Sequence, residues 1–430
     1  MMRPYTEYQQ SDISWLGKVP KHWTKNKFKF LLNEKPKTQN LELPCGSISF
    51  GHVVFKDSER LSEETKAAYQ EVLSGEFLIN PLNLNYDLKS LRTALADIDV
   101  IVSSGYIVLK SLGVVDKAYL RWLLYLFDVR HMKTLGAGIR QTISFKDIAD
   151  CAVYIPNDSE QKAIATFLDR ETLRIDSLIE EKQAFIKLLK EKRQALISHV
   201  VTKGLNPNVE MQDSGIEWIG QVPKHWVIRR LKHTSTLQSG IAKGKDNANK
   251  ETLSVPMLRV ANVQDGYVKL DDVHEINVLP HEVERYALKD GDVLMNEGGD
   301  NDKLGRGTVW KEQIKPCIHQ NHVFVIRVTD IEPEWLGWLT QSSYAKFYFF
   351  RVSKQSTNLA SISSTNVKEV HLLIPPADER KIIMEYLEKQ TSKLKLLVQD
   401  VEESITLLKE HRTSLISAAV TGKIDVREAV

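Results

Sequence analysis

Two long stretches of the chain place apolar residues at helical spacing. Residues 159–200 contain neither proline nor glycine, and their apolar positions follow one helix face: Ile164, Leu168, Ile175, Leu178, Phe185, Leu189 and Leu196. In the second stretch the apolar positions are Ile383, Leu387, Leu394, Leu397, Val401, Leu408 and Leu415. Five of these follow one another at intervals of seven residues, which is typical of helices that supercoil: Leu387, Leu394, Val401, Leu408 and Leu415. The pattern predicts helices at residues 158–202 and 377–421, each about 60 Å long.

The regions before the two helices show a mixed pattern. Strand-like runs occur at residues 77–80, 100–103, 106–109 and 323–328, and aromatic-rich helical runs occur at residues 118–127 and 333–350. The sequence therefore predicts an α+β protein with a first module at residues 1–157 and a second module at residues 214–376. Residues 203–213 are predicted to be a linker and residues 422–430 a C-terminal tail, with Asp158, Ser159 and Asp378 as helix N-caps and Gly204 and Gly422 as helix ends.

An internal repeat covers both modules and both helices. Residues 11–23 (SDISWLGKVPKHW) recur as residues 214–226 (SGIEWIGQVPKHW), with nine identities in thirteen positions. Residues 188–202 (LLKEKRQALISHVVT) recur as residues 407–421 (LLKEHRTSLISAAVT), with ten identities in fifteen. Between these blocks only short segments match, such as residues 75–80 with 291–296 and residues 143–144 with 362–363. The pattern indicates two homologous modules that perform different versions of one task.

Connectivity predicts how the two helices pack. Neither apolar seam can stay in water alone, so we expect the seams to pack on each other. Because only a short linker separates the first helix from the second module, an antiparallel pair is favoured over a parallel pair. The expected fold has two mixed α/β modules at opposite ends of a rod of two long antiparallel coiled-coil helices, with a pseudo-two-fold internal repeat. The repeated tryptophans, Trp15, Trp23, Trp218 and Trp226, are expected to pin the chain onto each module.

Composition and charge narrow the class of protein. The 430 residues are 42% hydrophobic and 27% charged, which excludes a disordered or collagen-like chain. No apolar run approaches the ~18 residues of a membrane span, and a soluble, cytoplasmic protein is expected. The formal net charge is +2, so a nucleic-acid site would be a local patch. Cys45, Cys151 and Cys317 lie too far apart for a zinc motif and are expected to be isolated, buried thiols.

Few motifs of catalysis or metal binding are present. The sequence has no G-x-x-x-x-G-K-[ST] motif, which disfavours an ATP-driven motor. Residues 298–307 (GGDNDKLGRG) resemble a calcium loop only at their first positions. His319 and His322 enter a predicted strand with side chains that face opposite ways, which disfavours a zinc pair. A nuclease site at Glu297, Asp300 and Asp302 is an alternative.

Polar loops in both modules are candidates for recognition. Glycines let the backbone approach a ligand closely, and guanidinium and amide groups suit phosphates and base edges. The second module offers residues 298–307 and 319–322, and the first module offers residues 80–92 and 103–106 near the corresponding place. The alternative is that these Gly- and Asn-rich segments are only turns.

The whole chain closely resembles the specificity subunit of Type I restriction-modification enzymes. The resemblance is carried by the start motif at residues 13–23 and its copy, by the helix starts at residues 156–169 and 375–383, and by the LISxxVT helix ends. The segment GGDNDKLGRG, followed by HQNHVF at residues 319–324, also looks like a recurrent version of this family's target recognition domain.

The resemblance implies a subunit without catalysis of its own, in which each module reads one half of a bipartite, asymmetric site in double-stranded DNA and the helices set the gap. Two copies of an adenine methyltransferase subunit and a motor-nuclease subunit are the implied partners. S-adenosylmethionine, ATP and Mg would bind to these partners and not to this chain. Consistent with this, the chain has no [DNS]-P-P-[YFW] methyltransferase motif. The alternative function is a two-module scaffold or adhesion protein without DNA specificity.

Loop chemistry and the family pattern together predict the site residues. The DNA-binding candidates are Asn83, Asn85, Tyr86, Lys89, Arg92, Ser103, Ser104, Tyr106 and Arg140 in the first module, and Lys303, Arg306, Gln320, Asn321, His322, Gln355 and Asn358 in the second. The predicted partner interface comprises Leu196, Ile197, Val201, Leu415, Ile416 and Val420. No catalytic residue and no metal ligand is predicted.

Overall fold

In the computed structural model the chain forms two units. Unit 1 consists of Met1–Lys182 and Glu403–Val430, and unit 2 consists of Gln183–Glu402. The structure describes residues 3–49, 51–57, 61–82, 91–135, 142–242, 250–299, 304–355 and 360–428. Each unit contains one module and a part of each long helix.

The first module is built around a mixed sheet. Its strands are β1 Tyr8–Gln10, β2 Lys18–Pro20, β3 Thr24–Lys27, β4 Leu32–Glu34, β5 Gly46–Ser49, β6 His52–Phe55, β7 Gln70–Val72, β8 Phe77–Ile79, β9 Thr93–Leu95, β10 Val100–Val102, β11 Ile107–Ser111 and β12 Ala152–Ile155. Its helices are α1 Glu63–Ala67, α2 Lys117–Arg130 and α3 Phe145–Ala149. The main sheet has the order β4-β11-β8-β9-β6-β5. Helix α2 packs Tyr119, Leu123 and Phe127 against Phe77 and Leu109 of this sheet.

The first long helix, α4, spans Asp158–Lys203 and connects the two modules. Its N-cap is Asn157, whose Oδ1 accepts the Glu160 N–H at 3.0 Å. The predicted caps Asp158 and Ser159 are therefore wrong, because both residues lie in the first helical turn. Gly204, with a φ of +73°, follows the helix end in the left-handed conformation that glycine adopts readily.

The second module repeats the central strands of the first. Its strands are β13 Met211–Asp213, β14 Gln221–Pro223, β15 Val227–Arg230, β16 Ser235–Ser239, β17 Leu253–Leu258, β18 Val263–Gln264, β19 Tyr267–Val268, β20 His274–Val278, β21 Val293–Asn296, β22 Gly298–Gly299, β23 Gly307–Val309, β24 Ile318–His319, β25 Val323–Val328, β26 Lys354–Gln355, β27 Ala360–Ser361 and β28 His371–Ile374. Its helices are α5 Pro280–Tyr286, α6 Pro333–Thr340, α7 Ser343–Val352 and α8 Ser364–Lys368. The sheet order β16-β25-β21-β23 matches β4-β11-β8-β9 of unit 1, strand for strand.

The predicted helical run at residues 333–350 differs from the structure. Residues 333–350 form two helices, α6 and α7, rather than one. Ser342 causes the break, because its hydroxyl donates to the Leu339 carbonyl at 2.6 Å and accepts the Ala345 N–H at 3.4 Å. The same side chain thus ends one helix and caps the next.

The second long helix, α9, spans Ala377–Val420, so the predicted cap Asp378 lies inside its first turn and is wrong. Residues 422–430 were predicted to be a tail, yet Ile424 and Val426 pack on the core of unit 1. The Asp425 N–H also donates to the Arg3 carbonyl at 2.8 Å. Within the described ranges, no helix combines the length and apolar composition needed to cross a membrane.

Candidate nucleic-acid interface

The polar loops of the two modules leave and re-enter their sheets at equivalent positions. In unit 1 the Asn80 N–H donates to the Arg92 carbonyl at 2.8 Å, and in unit 2 the Asn296 N–H donates to the Arg306 carbonyl at 2.9 Å. Strands β8 and β21 lead into these loops, and strands β9 and β23 follow them. The candidate segments at residues 80–92 and 298–307 therefore lie between equivalent strands of the two sheets.

A second segment lies beside this polar loop in each unit. The Ile143 N–H donates to the Pro81 carbonyl at 3.1 Å, and the Ile362 N–H donates to the Glu297 carbonyl at 2.8 Å. Ile143 and Ile362 are the residues that the repeat aligned. In unit 1 Thr142 also pairs with Leu82, and in unit 2 strand β27 pairs with β22 and with β26, which brings Gln355 to the site.

A third segment is the turn before the central strand β11 or β25. The Tyr106 N–H donates to the Ser103 carbonyl at 3.1 Å, and the Val323 N–H donates to the Gln320 carbonyl at 2.9 Å. In unit 2 this turn contacts the start of the polar loop directly, because the Glu297 N–H donates to the His322 carbonyl at 2.9 Å. Three polar segments thus meet at one edge of the central sheet.

Several predicted DNA-binding residues lie outside the described residues. These are Asn83, Asn85, Tyr86, Lys89, Arg140, Lys303 and Asn358, and Asp300 and Asp302 of the alternative nuclease site lie there too. Among the described candidates, Ser104, His322 and Gln355 are exposed, while Ser103, Tyr106, Gln320 and Asn321 are half-buried.

In unit 1 the turn at Ser103–Tyr106 is fixed through its backbone. Gln70 Nε2 donates to the Tyr106 carbonyl at 2.7 Å, and Lys37 Nζ donates to the Ser104 carbonyl at 2.8 Å. The Ser104 side chain is exposed at this edge, whereas Tyr106 packs against a small apolar cluster that includes Val102. The turn therefore has a defined shape from which its side chains project.

Arg92 is not placed to contact DNA. Its side chain is buried, and its Nε donates to Asp128 Oδ1 at 2.8 Å. The Arg92 N–H donates to the other oxygen of the same carboxylate at 2.7 Å. This buried ion pair joins the start of strand β9 to helix α2. The position of Arg92 therefore contradicts its predicted role in DNA binding.

Arg306, at the equivalent position of unit 2, is half-buried rather than buried. Its Nη1 donates to Gln264 Oε1 at 3.0 Å, and Gln264 Nε2 donates to the Ala261 carbonyl at 2.8 Å. The amide of Gln264 is thus held in one orientation, with its oxygen toward Arg306. Asn296 fixes the backbone next to Gln264, because its buried Nδ2 donates to the Val263 carbonyl at 3.0 Å.

The histidines and acids of the second module have distinct environments. His319 is buried, and its Nδ1 donates to the Val323 carbonyl at 2.7 Å. Burial lowers the pKa of His319 to about 4, so the ring is neutral near pH 7. His322 faces the opposite way and places Nδ1 2.8 Å from Glu297 Oε2. In the part of the chain that the structure describes, no group of three His, Cys, Asp or Glu side chains is placed to hold a metal ion.

The predicted partner interface is largely interior. Ile197 and Val201 belong to the core of unit 2, and Ile416 and Val420 belong to the core of unit 1. All four side chains are fully buried, so they cannot contact a partner in this fold, and the prediction is wrong for them. Leu196 and Leu415 are half-buried against the same cores.

Two glutamates at the helix starts, which were not predicted as contacts, explain the repeated start motif. Trp23 and Trp226 are both buried, and their indole N–H groups donate to Glu160 and Glu379 at 3.0 and 3.2 Å. The signal was present in the sequence, because each glutamate occupies the same place after the proline that precedes a long helix.

Comparisons with known proteins agree with this architecture. The family model described as Type I restriction modification DNA specificity domain matches residues 84–188 and 223–406. The Type I restriction enzyme EcoKI specificity subunit of Escherichia coli (strain K12) is 24% identical, over 63% of this chain and 57% of its own length. The match thus spans little more than half of that relative. The Type I restriction enzyme MjaIX specificity subunit of Methanocaldococcus jannaschii is 22% identical over 98% of both chains.

Solved structures show the same fold. The HsdS subunit from Thermoanaerobacter tengcongensis aligns with a TM-score of 0.50 and 15% identity, over 94% of this chain and 98% of that one. A chain from work on complex assembly and conformational transition of the type I R-M system aligns with a TM-score of 0.67, also at 15% identity and with the same coverage of both chains. Because the family model matches more than half of the sequence, the chain belongs to the Type I restriction modification DNA specificity domain family.

Proposed function

We propose that the chain is the DNA specificity subunit of a Type I restriction-modification complex, in which each module is a target recognition domain for one half of a bipartite, asymmetric site. One observation carries the proposal. Both units bring three equivalent polar segments to the same edge of equivalent sheets, yet the side chains there differ between the units. A shared scaffold with different side chains suits two readers of unlike half-sites.

The chemistry of the segments suits base and phosphate contacts. Gly298 and Gly299 in β22 allow close approach of the backbone, and Arg306 has the forked donors that match guanine O6 and N7. In unit 1 the exposed hydroxyl of Ser104 suits a phosphate or a base edge. With a net charge of only +2, tight binding to DNA is expected to need the partner subunits.

The two long helices would set the gap between the half-sites as an antiparallel rod. Contacts within each unit support this arrangement. In unit 1, Arg412 near the end of α9 forms two hydrogen bonds to Asp176 in the first half of α4, at 2.9 and 3.1 Å. In unit 2, Arg193 near the end of α4 and Glu388 near the start of α9 line one cleft. A rod of about 60 Å bounds the separation of half-sites at roughly 17 base pairs.

Two copies of an adenine methyltransferase subunit and a motor-nuclease subunit are the proposed partners. S-adenosylmethionine, ATP and Mg would act in those subunits. Because four of the six predicted interface residues are buried, we place the contact instead on Leu188 and Leu407, which match in the repeat. Both leucines are exposed on their helices, at 60% and 58%. An identical exposed side chain in both copies suits a partner that binds twice.

Sequencing of N6-methyladenine in the native genome, with and without this gene, tests the proposal. The expected result is one split motif, methylated on both strands, that disappears when the gene is deleted. An unchanged methylome, with the partner genes expressed, would overturn DNA specificity and leave the two-module scaffold as the function.

A further inference from the structure

Glu297 and His322 form a side-chain pair at the meeting point of the polar segments in unit 2. Glu297 Oε2 lies 2.8 Å from His322 Nδ1. The backbone of Glu297 is fixed on both sides, since its N–H donates to the His322 carbonyl and its carbonyl accepts the Ile362 N–H. The side chains of Glu297 and His322 are 28% and 55% exposed, so the pair reaches the surface from a rigid backbone.

The carboxylate fixes the tautomer of the imidazole. A carboxylate accepts hydrogen bonds, so Nδ1 of His322 carries the proton and donates to Glu297. The other ring nitrogen, Nε2, is hydrogen-bonded to the amide nitrogen of Asn321 at 3.4 Å. The pair therefore presents one carboxylate oxygen, Glu297 Oε1, as an acceptor on a surface that otherwise needs donors for phosphate.

We propose that the Glu297–His322 pair is a specificity determinant that accepts the exocyclic amino group of a cytosine in the major groove of the second half-site. Cytosine presents its N4 amino group there as a donor. Adenine presents an N6 donor beside its N7 acceptor, and guanine presents two acceptors. Both purines would therefore place an acceptor next to the carboxylate, which has no proton to donate to it. The inference rests on the proposed function and assigns one base class to this site.

The first module lacks this pair at the equivalent positions. The carbonyl that corresponds to that of Glu297 belongs to Pro81, since each accepts the N–H of the matched isoleucine. The Tyr106 N–H and the Val323 N–H donate equivalent backbone hydrogen bonds, so the residue that corresponds to His322 is Gly105, which has no side chain to pair. The Glu297–His322 pair is thus confined to unit 2, and its effect is expected in one half-site alone.

The experiment uses the complete complex and compares methylation motifs. Glu297→Ala removes the acceptor and frees the tautomer of His322, and Glu297→Gln preserves the size of the side chain. Each variant is expected to relax discrimination about tenfold at a single cytosine position of one half-site. The variant Tyr106→Ala alters the first module, so the half-site in which it changes the methylation motif is the one that the first module reads. The matched control is Glu369→Ala, another ion-paired carboxylate of unit 2, which binds Arg230 and Lys232.

A base analogue supplies the second measurement. Replacing the implicated cytosine by 2-pyrimidinone, which lacks the amino group, should weaken binding of the wild-type complex about tenfold and leave binding of the Glu297→Ala complex unchanged. The inference is overturned if no position relaxes, if the relaxed position is another base, or if all positions weaken equally. A wild-type complex without any gene-dependent motif would instead overturn the proposed function, and the inference with it.

Discussion

His22 Nε2 lies 2.8 Å from Glu160 Oε2, and this contact joins the start of the first module to the start of the first long helix. The same carboxylate accepts the Trp23 indole N–H at 3.0 Å. The repeat reproduces the contact, with His225 Nε2 2.7 Å from Glu379 Oε2. The His-Trp pair of each start motif therefore clamps the first turn of a long helix, which orients the helix relative to its own module.

The two glutamates are expected to differ in their effect on stability. The Glu160 side chain is fully buried, whereas that of Glu379 is 30% exposed. Glu160→Ala leaves a buried indole N–H without an acceptor and should cost about 3 kcal/mol of unfolding free energy, against about 1 kcal/mol for Glu379→Ala. Hydrogen exchange resolved by unit measures both values, since a chain of two units need not unfold in one step. Equal losses of unfolding free energy in the two variants would mean that burial of the glutamate does not set its contribution.

The glycines that follow the two helices give a second matched comparison. Gly422 has a φ of +68°, and a methyl group there would overlap the Pro20 ring. At Gly204, with a φ of +73°, the methyl would meet Trp226 Cζ2 at 3.3 Å. We expect Gly422→Ala to destabilise unit 1 by about 3 kcal/mol and Gly204→Ala to destabilise unit 2 by about 1 kcal/mol, because only the first adds overpacking to backbone strain. A larger loss for Gly204→Ala, measured by hydrogen exchange, would argue against this packing.

The sequence predicted the long helices and the repeat because both leave a periodic signal. It also predicted that the tryptophans of the start motif hold the chain onto the module, and the packing of all four on the cores of their units confirms this, with Trp23 and Trp226 buried. Trp15 and Trp218 are half-buried and pack on aromatic neighbours, with Trp15 stacked on His131 and Trp218 on Tyr348.

The direction in which Arg92 points could not be predicted. Arg92 and Arg306 both end a polar loop, but Arg92 lies next to Asp128 of α2, whereas Arg306 contacts Gln264. The contact of Arg92 with Asp128 joins residues 36 positions apart, so no local pattern reports it. The burial of Ile197 and Ile416 could not be predicted for the same reason, because the side chains that cover them come from distant segments of the sequence. Which bases the loops contact depends on side-chain positions that no periodicity encodes.

His319 should make unit 2 sensitive to acid. Burial lowers its pKa from 6.5 to about 4. Between these values the unfolded chain binds the proton and the folded chain does not, so the contribution is fully present above pH 6.5 and is lost as the pH falls toward 4. The loss is expected to be about 2 kcal/mol at pH 5 and to reach about 3 kcal/mol below pH 4. Hydrogen exchange of unit 2 at pH 7 and pH 5 measures the first of these values. His319→Asn should flatten the pH dependence, whereas Asn321→Ala should leave it unchanged.

Arg92→Ala is expected to destabilise unit 1 by about 3 to 5 kcal/mol, because it leaves the buried Asp128 carboxylate without its ion partner. The double variant Arg92→Met with Asp128→Asn removes both charges, keeps an acceptor for the Arg92 N–H and should recover most of the loss. Urea titration followed by hydrogen exchange of unit 1 tests both variants. If Arg92→Ala kept its stability and weakened DNA binding instead, the ion pair would not describe the role of Arg92.

Arg306→Ala should produce the opposite result from Arg92→Ala. If its guanidinium binds guanine, binding of the complete complex to the specific site should weaken by about 1 to 3 kcal/mol, while the stability of unit 2 changes by less than about 0.5 kcal/mol. Arg306→Lys keeps the charge but lacks the fork, so it should restore affinity for nonspecific DNA and not for the specific site.

Gln264→Ala separates contact from positioning at the same arginine. It removes the amide oxygen that accepts from Arg306 Nη1 at 3.0 Å and leaves the guanidinium in place. We therefore expect a smaller loss of specific affinity, about 1 kcal/mol, and no further loss when Gln264→Ala is added to Arg306→Ala. Equilibrium binding of the four complexes to specific and nonspecific duplexes, at one salt concentration, gives the coupling. A loss below about 0.5 kcal/mol for Arg306→Ala would exclude Arg306 from the DNA contacts, and additive losses would mean that Gln264 acts independently of it.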